Sequence, residues 1–216
     1  MHRPLVQGRL IQQISKRSSS IDDHGFLGLV PLVFELPELW ELADPPVKNK
    51  ILNFISSGPD DLVVAFIKDA SEKDELRSAA LARVNTLSVD LLSQGIINQR
   101  LGWLAVPRAI EYYKSVGSWN RANEISEKLI LPLFDYFSPE EIDEILRIPK
   151  EHKADLVGST GFLKFIQKLR SDARIDGQTL IDKLTQYDLD FYVRKLNGVL
   201  SVDWAGCVEA LPNGNE

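Results

Sequence analysis

Helix punctuation recurs along the whole of this chain, and that density constrains the fold more than any single motif does. Pro37 and Pro46 stand where the first turn of a helix tolerates a proline. Gly58-Pro59-Asp60-Asp61 places a proline and two carboxylates at a helix start, and Ser71 with Asp74 opens another helix running to about Asn85. Ser138-Pro139-Glu140-Glu141 joins a hydroxyl cap, a first-turn proline and a glutamate able to return the hydrogen bond. Behind these starts the apolar residues fall at helical spacing, as in Leu62, Val63, Phe66 and Ile67, and again in Ile142, Ile145, Leu146 and Ile148. Strand-like alternation bounded by hairpin turns is nowhere convincing. The expected fold is all-α.

Further helices are expected at about 26–35, 37–43 and 46–56, over Ser88–Ser93, over 98–117 with an interruption at Pro107, and over Ser118–Leu131. Others begin near Ser159, Gly177 and Asp188, the last stopped by Asn197-Gly198. Residues 1–24 read as an N-terminal amphipathic helix and a polar joint, 25–198 as a helical domain, and 199–216 as a tail. A chain of 216 residues holds its core without disulfides or metals. Ten or more short helices joined by two to five residues cannot all face one core of modest volume. Antiparallel pairs that stack on one another bury them better, so the expected architecture is an irregular α-solenoid, with a compact helical bundle as the alternative.

Tyr113, Gly117, Trp119 and Ala122 form the pattern Y-x3-G-x-W-x2-A, which resembles the turn between the two helices of a tetratricopeptide repeat. The resemblance implies that Tyr113 packs from the first helix, Gly117 supplies a positive φ, Trp119 anchors the second helix and Ala122 allows close approach. It covers about a third of one repeat. The family's early tryptophan and leucine-glycine are replaced by Val106, Ala109 and Ile110, and its later apolar positions by Ser126 and Leu129. Looser echoes occur at Phe54-x3-Gly58-x4-Val63 and at the turn expected for Ser93-Gln94-Gly95. Their spacing is irregular, 37 residues from Gly58 to Gly95 and 22 from Gly95 to Gly117, as in degenerate HEAT or armadillo-like repeats.

Composition narrows the function. The most apolar run, Phe26 to Phe34, is broken by Pro31 and falls far short of the ~20 apolar residues that cross a bilayer. Cys207 is alone, so neither a disulfide within the chain nor a thiolate-cluster zinc site is available, and a reducing, cytoplasmic setting is expected. The first twenty residues also match a mitochondrial presequence, with Arg3, Arg9, Lys16 and Arg17, several serines and no acidic residue. The simpler reading is a helix whose Leu5, Leu10, Ile11 and Ile14 stripe docks on the body of the protein.

Signatures of phosphate, dinucleotide, nucleophile-elbow and HExxH chemistry are missing, and no cofactor or catalytic residue is assigned. Gly158-Ser159-Thr160-Gly161 has the GxxG form of the K-homology RNA-binding loop. A cap for the helix that starts there explains the segment with less. Glu151-His152-Lys153, with Asp135 upstream, has the residue types of a nuclease metal site but reads as a solvated joint. His2, His24 and His152 are scattered, and Trp40, Trp103, Trp119 and Trp204 sit in apolar stripes that read as core.

Charge is patterned in blocks. Glu35, Glu38, Glu41 and Asp44 form one acidic stretch, and Asp135, Glu140, Glu141, Asp143 and Glu144 a second. Lys150, Lys153, Lys164, Lys168, Arg170 and Arg174 form a basic one. A net charge of -6 and a pI near 5.2 make nucleic acid an unfavoured partner. The expected function is a non-enzymatic scaffold or adaptor that docks a protein partner or another copy of itself. Its contacts are expected around the Gly117 turn and at Glu140, Glu141, Asp143, Glu144, Lys164, Lys168 and Arg170. The alternative is a nucleic-acid-associated regulator that uses the basic 150–174 segment.

Overall fold

The computed structural model describes residues 23–36, 38–68, 73–151, 159–190 and 192–193. The N-terminal helix, the Ser71 start, the Asn197-Gly198 stop and the tail from 199 lie outside these residues. The protein is all-α, with no strand among the described residues. Internal contacts divide the chain into two compact units, Met1–Pro107 and Arg108–Glu216.

The first unit carries α1 (Asp23–Glu35), α2 (Glu38–Leu42), α3 (Pro45–Ser57), α4 (Asp60–Phe66), α5 (Asp74–Val84), α6 (Val89–Ile97) and a 3-10 turn, Gly102–Ala105. Prolines and small polar residues set these starts. Asp44 accepts a hydrogen bond from the Val47 amide at 3.3 Å ahead of Pro45 and Pro46, and Ser88 accepts from Leu91 at 3.4 Å. The packing runs between alternate helices: α3 lies on α5, and α4 on α6. Val47, Ile51 and Ile55 thereby bury against the face that carries Leu76, Ala80 and Val84.

Arg83 on α5 ties the two layers together. Its guanidinium donates to the carbonyls of Ser56 at 3.1 Å and Gly58 at 2.6 Å and pairs with Asp60, which holds the α3–α4 turn. These contacts satisfy carbonyls that a helix end leaves without partners.

Two expectations in this unit are corrected. Gly95 is not a turn residue but lies inside α6, where a side chain would run into Leu101 and crowd Val64; the glycine is a packing requirement. The break expected at Pro107 comes earlier, where Gln99 (φ 54°) and Gly102 (φ 38°) turn the chain in left-handed conformations. Pro107 is the second residue of the next helix, where its missing N–H leaves no bond unmade.

The second unit carries α7 (Val106–Lys114, starting two residues before the division), α8 (Trp119–Ile125), α9 (Pro139–Glu151), α10 (Thr160–Arg170) and α11 (Gly177–Gln186). The helix expected to run unbroken to Leu131 instead widens after Ile125 into a π turn, Ser126–Ile130, closed by the Leu131 amide donating to the Ser126 carbonyl at 2.8 Å. A 3-10 turn, Phe134–Tyr136, follows.

The capping box forms as read from the sequence. The Ser138 amide donates to the Glu141 carboxylate at 2.7 Å, and the Glu141 amide donates to the Ser138 hydroxyl at 3.2 Å. Ile142, Ile145, Leu146 and Ile148 all face the core. Alternate helices pack here too, α8 and its π turn on α10, and α9 on α11.

The core of this unit is aromatic. Phe165 meets Phe134 edge-on at 5.6 Å and stacks on Phe162 at 6.3 Å, and Phe162 meets Tyr192 edge-on at 4.9 Å. Arg174 repeats the device of Arg83. It donates to the carbonyls of Phe137 at 2.6 Å and Phe134 at 3.1 Å while Asp172 fixes its other edge at 2.7 Å.

Candidate protein-interaction surface

The turn between α7 and α8 is where the tetratricopeptide-like pattern lies, and the fold distributes its four residues unequally. Tyr113 and Ala122 are buried, as the pattern implies. Gly117 does not take a positive φ, and Trp119 does not anchor α8: it is the first residue of that helix and its side chain is 47% exposed. Ser118 caps α8 by accepting from the Arg121 amide at 3.3 Å, and this cap orients the first turn so that Trp119, Asn120 and Arg121 face solvent.

Close approach in this region is made by a different pair. Gly161 of α10 lies against Ser126 of the π turn so tightly that a β-carbon on Gly161 would overlap that of Ser126. Beside this contact, the Asn123 side-chain oxygen accepts from the Ser159 hydroxyl at 2.9 Å, the Thr160 hydroxyl at 3.0 Å and the Gly161 amide at 3.0 Å. Ser159 caps α10 in turn, accepting from Phe162 at 3.3 Å. In a GxxG loop that cradles phosphate, such backbone amides point at the ligand. Here the Gly161 amide is engaged by Asn123, and the capping reading of the segment fits the geometry.

Tyr113 reaches the same region from α7. Burial pushes its phenol well above the usual range, which the neighbouring Ser126 hydroxyl only partly offsets. The Tyr113 and Ser126 hydroxyls are both buried without a hydrogen-bond partner of good geometry. A phenol held neutral in this way offers no proton-transfer chemistry near pH 7.

The acidic residues singled out from sequence are brought together along α9, and most of them meet partners within the unit. Glu141 is consumed by the capping box. Asp143 pairs with Lys183 and accepts from the Tyr187 hydroxyl at 2.9 Å, which staples α9 to α11. Burial raises the Asp143 pKa, but the Lys183 and Tyr187 hydrogen bonds outweigh it and hold the carboxyl below its ordinary value. Glu144 pairs with Lys114 at 2.6 Å, and Glu140 stands exposed on the first turn.

The basic residues are distributed in the same manner. Lys164 pairs with Glu127 at 2.7 Å, Lys168 faces Asp135 at 3.7 Å and lies over the Phe134 ring, and Arg170 closes α10 half-buried. Lys150 donates to the Gln186 carbonyl at 2.9 Å. Most of the charged residues read from sequence are therefore paired within the unit, although among the described residues only Lys168 and Asp135 join the basic block to the acidic one.

The residues of the nuclease-like grouping do not share a partner. Asp135 faces Lys168, and Glu151 ends α9 beside Arg147 at 3.7 Å; His152 and Lys153 lie outside the described residues. Among the described residues no three His, Cys, Asp or Glu side chains are grouped to hold a metal ion. No helix among them is long and apolar enough to cross a membrane. Trp40 is core, and Trp103 is half-buried beneath Arg77, whose guanidinium lies 4.0 Å from the ring centroid.

Sequence reasoning missed Asn123, the clamps of Arg83 and Arg174, and the exposure of Trp119. Nothing in the local sequence marks the first three, because each acts on a segment 23 to 40 residues away. What fold and surface define together is an all-α protein of short helices with a solvent-facing tryptophan on a capped turn. Comparison with protein-family models, curated proteins and solved structures yields no match.

Proposed function

We propose that the protein is a non-enzymatic helical scaffold or adaptor that docks a protein partner through the α7–α8 turn. The observation that carries this reading is Trp119. Its indole is 47% exposed, whereas Trp40 is buried and Trp103 is covered by Arg77. Exposed tryptophans anchored on rigid elements are the residues most enriched among binding hot spots. Ser118 fixes the turn, and its sequence neighbours Asn120 and Arg121 in the same first turn are exposed polar residues.

Packing between alternate helices supports the scaffold class, since stacked pairs leave the inter-helix turns as outward surface. Irregular α-solenoid stacking, with a HEAT- or tetratricopeptide-like ancestry, is part of the same proposal. The nucleic-acid alternative is the weaker one, because Lys164 and Lys168 each face a carboxylate of their own unit.

The test is affinity purification of the tagged full chain from its native cell beside a Trp119→Ala variant. A stoichiometric protein recovered with the wild type and lost with the variant is expected, with the unfolding free energies of the two chains within about 0.5 kcal/mol of each other. Recovery of the same partner by both would remove Trp119 from the contact. Strongly salt-dependent binding of short duplexes, abolished by Lys164→Glu with Lys168→Glu, would replace the scaffold reading by the nucleic-acid one.

A further inference from the structure

Arg77 stands on the exposed side of α5, and Trp103 belongs to the 3-10 turn that packs on both α5 and α6. The guanidinium lies 4.0 Å from the centroid of the indole, and Trp103 is half-buried. A guanidinium stacked in this way spends its flat face on the ring and keeps the N–H fork along its edge for another partner.

Nothing among the described residues takes up that fork. Arg77 makes no ion pair with Asp74, one turn earlier on the same helix, nor with any other described carboxylate. Arg100, half-buried three residues before Trp103, is equally without a described carboxylate. The last carbonyls of α6 are already engaged, since Ile96 and Gly95 accept from the backbone amides of Gln99 and Arg100, each at 2.9 Å. Elsewhere in the first unit cations do meet carboxylates: Lys68 faces Glu35, Lys73 pairs with Glu41 and Arg83 with Asp60.

The same turn carries an apolar side chain in solvent. Ile97 ends α6, three residues before Arg100, and is 68% exposed. Arginine and tryptophan are the residue types on which binding energy concentrates at protein interfaces, and the guanidinium fork matches the two oxygens of a carboxylate. A polyanion such as nucleic acid fits less well. The first turn of α5 presents Asp74 and Glu75 to solvent, and the chain carries a net charge of -6.

We propose that the Arg77–Trp103 stack, with Arg100 and Ile97, binds an acidic segment of a protein partner, a carboxylate on the guanidinium fork and an apolar side chain against Ile97. The site belongs to the first unit and stands independently of the surface around Trp119.

The probe is the peptide acetyl-Leu-Glu-Glu-Leu-amide, with acetyl-Leu-Gln-Gln-Leu-amide as its neutral match. Each is titrated into the isotope-labelled full chain and followed by NMR at the Arg77 Nε–H and Trp103 indole N–H groups. Saturable shifts at both groups are expected with the acidic peptide at concentrations up to about 10 mM, and at least about threefold weaker binding of the neutral one. Arg77→Gln is expected to weaken the acidic peptide about fivefold and to leave the unfolding midpoint close to that of the wild type. Trp119→Ala is expected to change neither, which separates this site from the α7–α8 turn.

Absence of saturable shifts at these two groups, equal binding of the two peptides, or undiminished binding by Arg77→Gln overturns the proposal. So does tighter binding of inorganic phosphate or of a short single-stranded oligonucleotide at the same ionic strength, which would make the occupant a phosphate.

Discussion

At the scale of single residues, this protein depends on a few positions where a side chain must be absent or must reach far. Gly161 is the sharpest case. Its missing β-carbon is what lets α10 sit on the π turn at Ser126, and the atom it would strike is a β-carbon fixed to the backbone, which cannot rotate away. Gly161→Ala is therefore expected to lower stability by about 2 kcal/mol or more, in the range of core overpacking, although alanine is the better helix former. Urea unfolding followed by far-UV circular dichroism would show it, and an unchanged midpoint would mean that the seam relaxes freely. Gly95 faces Leu101 Cγ and Cδ1, atoms of a side chain that can turn, so the same exchange there is expected to cost less.

At the scale of elements, the sequence was most legible where the physics is local. The capping box at Ser138, the first-turn proline Pro46 and the inward stripe of α9 all follow from residues within one or two turns of each other, and all form as read, whereas Pro37 lies outside the described residues. Legibility fails where the cause is distant. The π turn after Ile125 has no local signature, because what faces it, Gly161, comes 35 residues after Ser126. The roles of Gly117 and Trp119 were misassigned since a short motif gives spacing but not the side from which the neighbouring helix arrives. The spacing of Asp143, Glu144, Lys164 and Lys168 says nothing of their partners Lys183, Lys114, Glu127 and Asp135, each of which is brought up by another element. Asn123 is the element-scale link that sequence could not show. Replacing it by alanine leaves the Gly161 amide and two hydroxyls without their shared acceptor, and Asn123→Ala is expected to cost about 1–3 kcal/mol. Exchange of the first-turn amides of α10 should rise in step, while those of α9 stay slow; a uniform rise would assign the loss to general destabilisation instead.

At the scale of the whole molecule, carboxylates exceed cations by six, yet several of those carboxylates are held charged by specific partners. The hydrogen bonds of Lys128 and Arg121 keep Glu124 below its usual range, and that of Arg174 does the same for Asp172. Asp143 is lowered by Lys183 and Tyr187 against the opposing effect of burial. A group whose folded pKa is depressed binds fewer protons in the folded than in the unfolded chain. Its contribution is therefore complete above the unfolded value, 3.8 for an aspartate, and disappears as pH falls through the lower folded value. Stability is thus expected to be flat with respect to these groups from about pH 7 to 5 and to fall below about pH 4, as α9 and α11 lose their staple and Arg174 its counter-charge. Partial exposure of these pairs lets water and salt screen them, so the fall is expected to be gradual and to weaken at high ionic strength. Asp143→Asn removes one titrating group while keeping an acceptor for Tyr187. Urea midpoints measured from pH 7 to 3 should start lower for this variant and converge on the wild type at the acid end. Parallel curves for the two chains across that range would show that Asp143 carries none of the acid dependence.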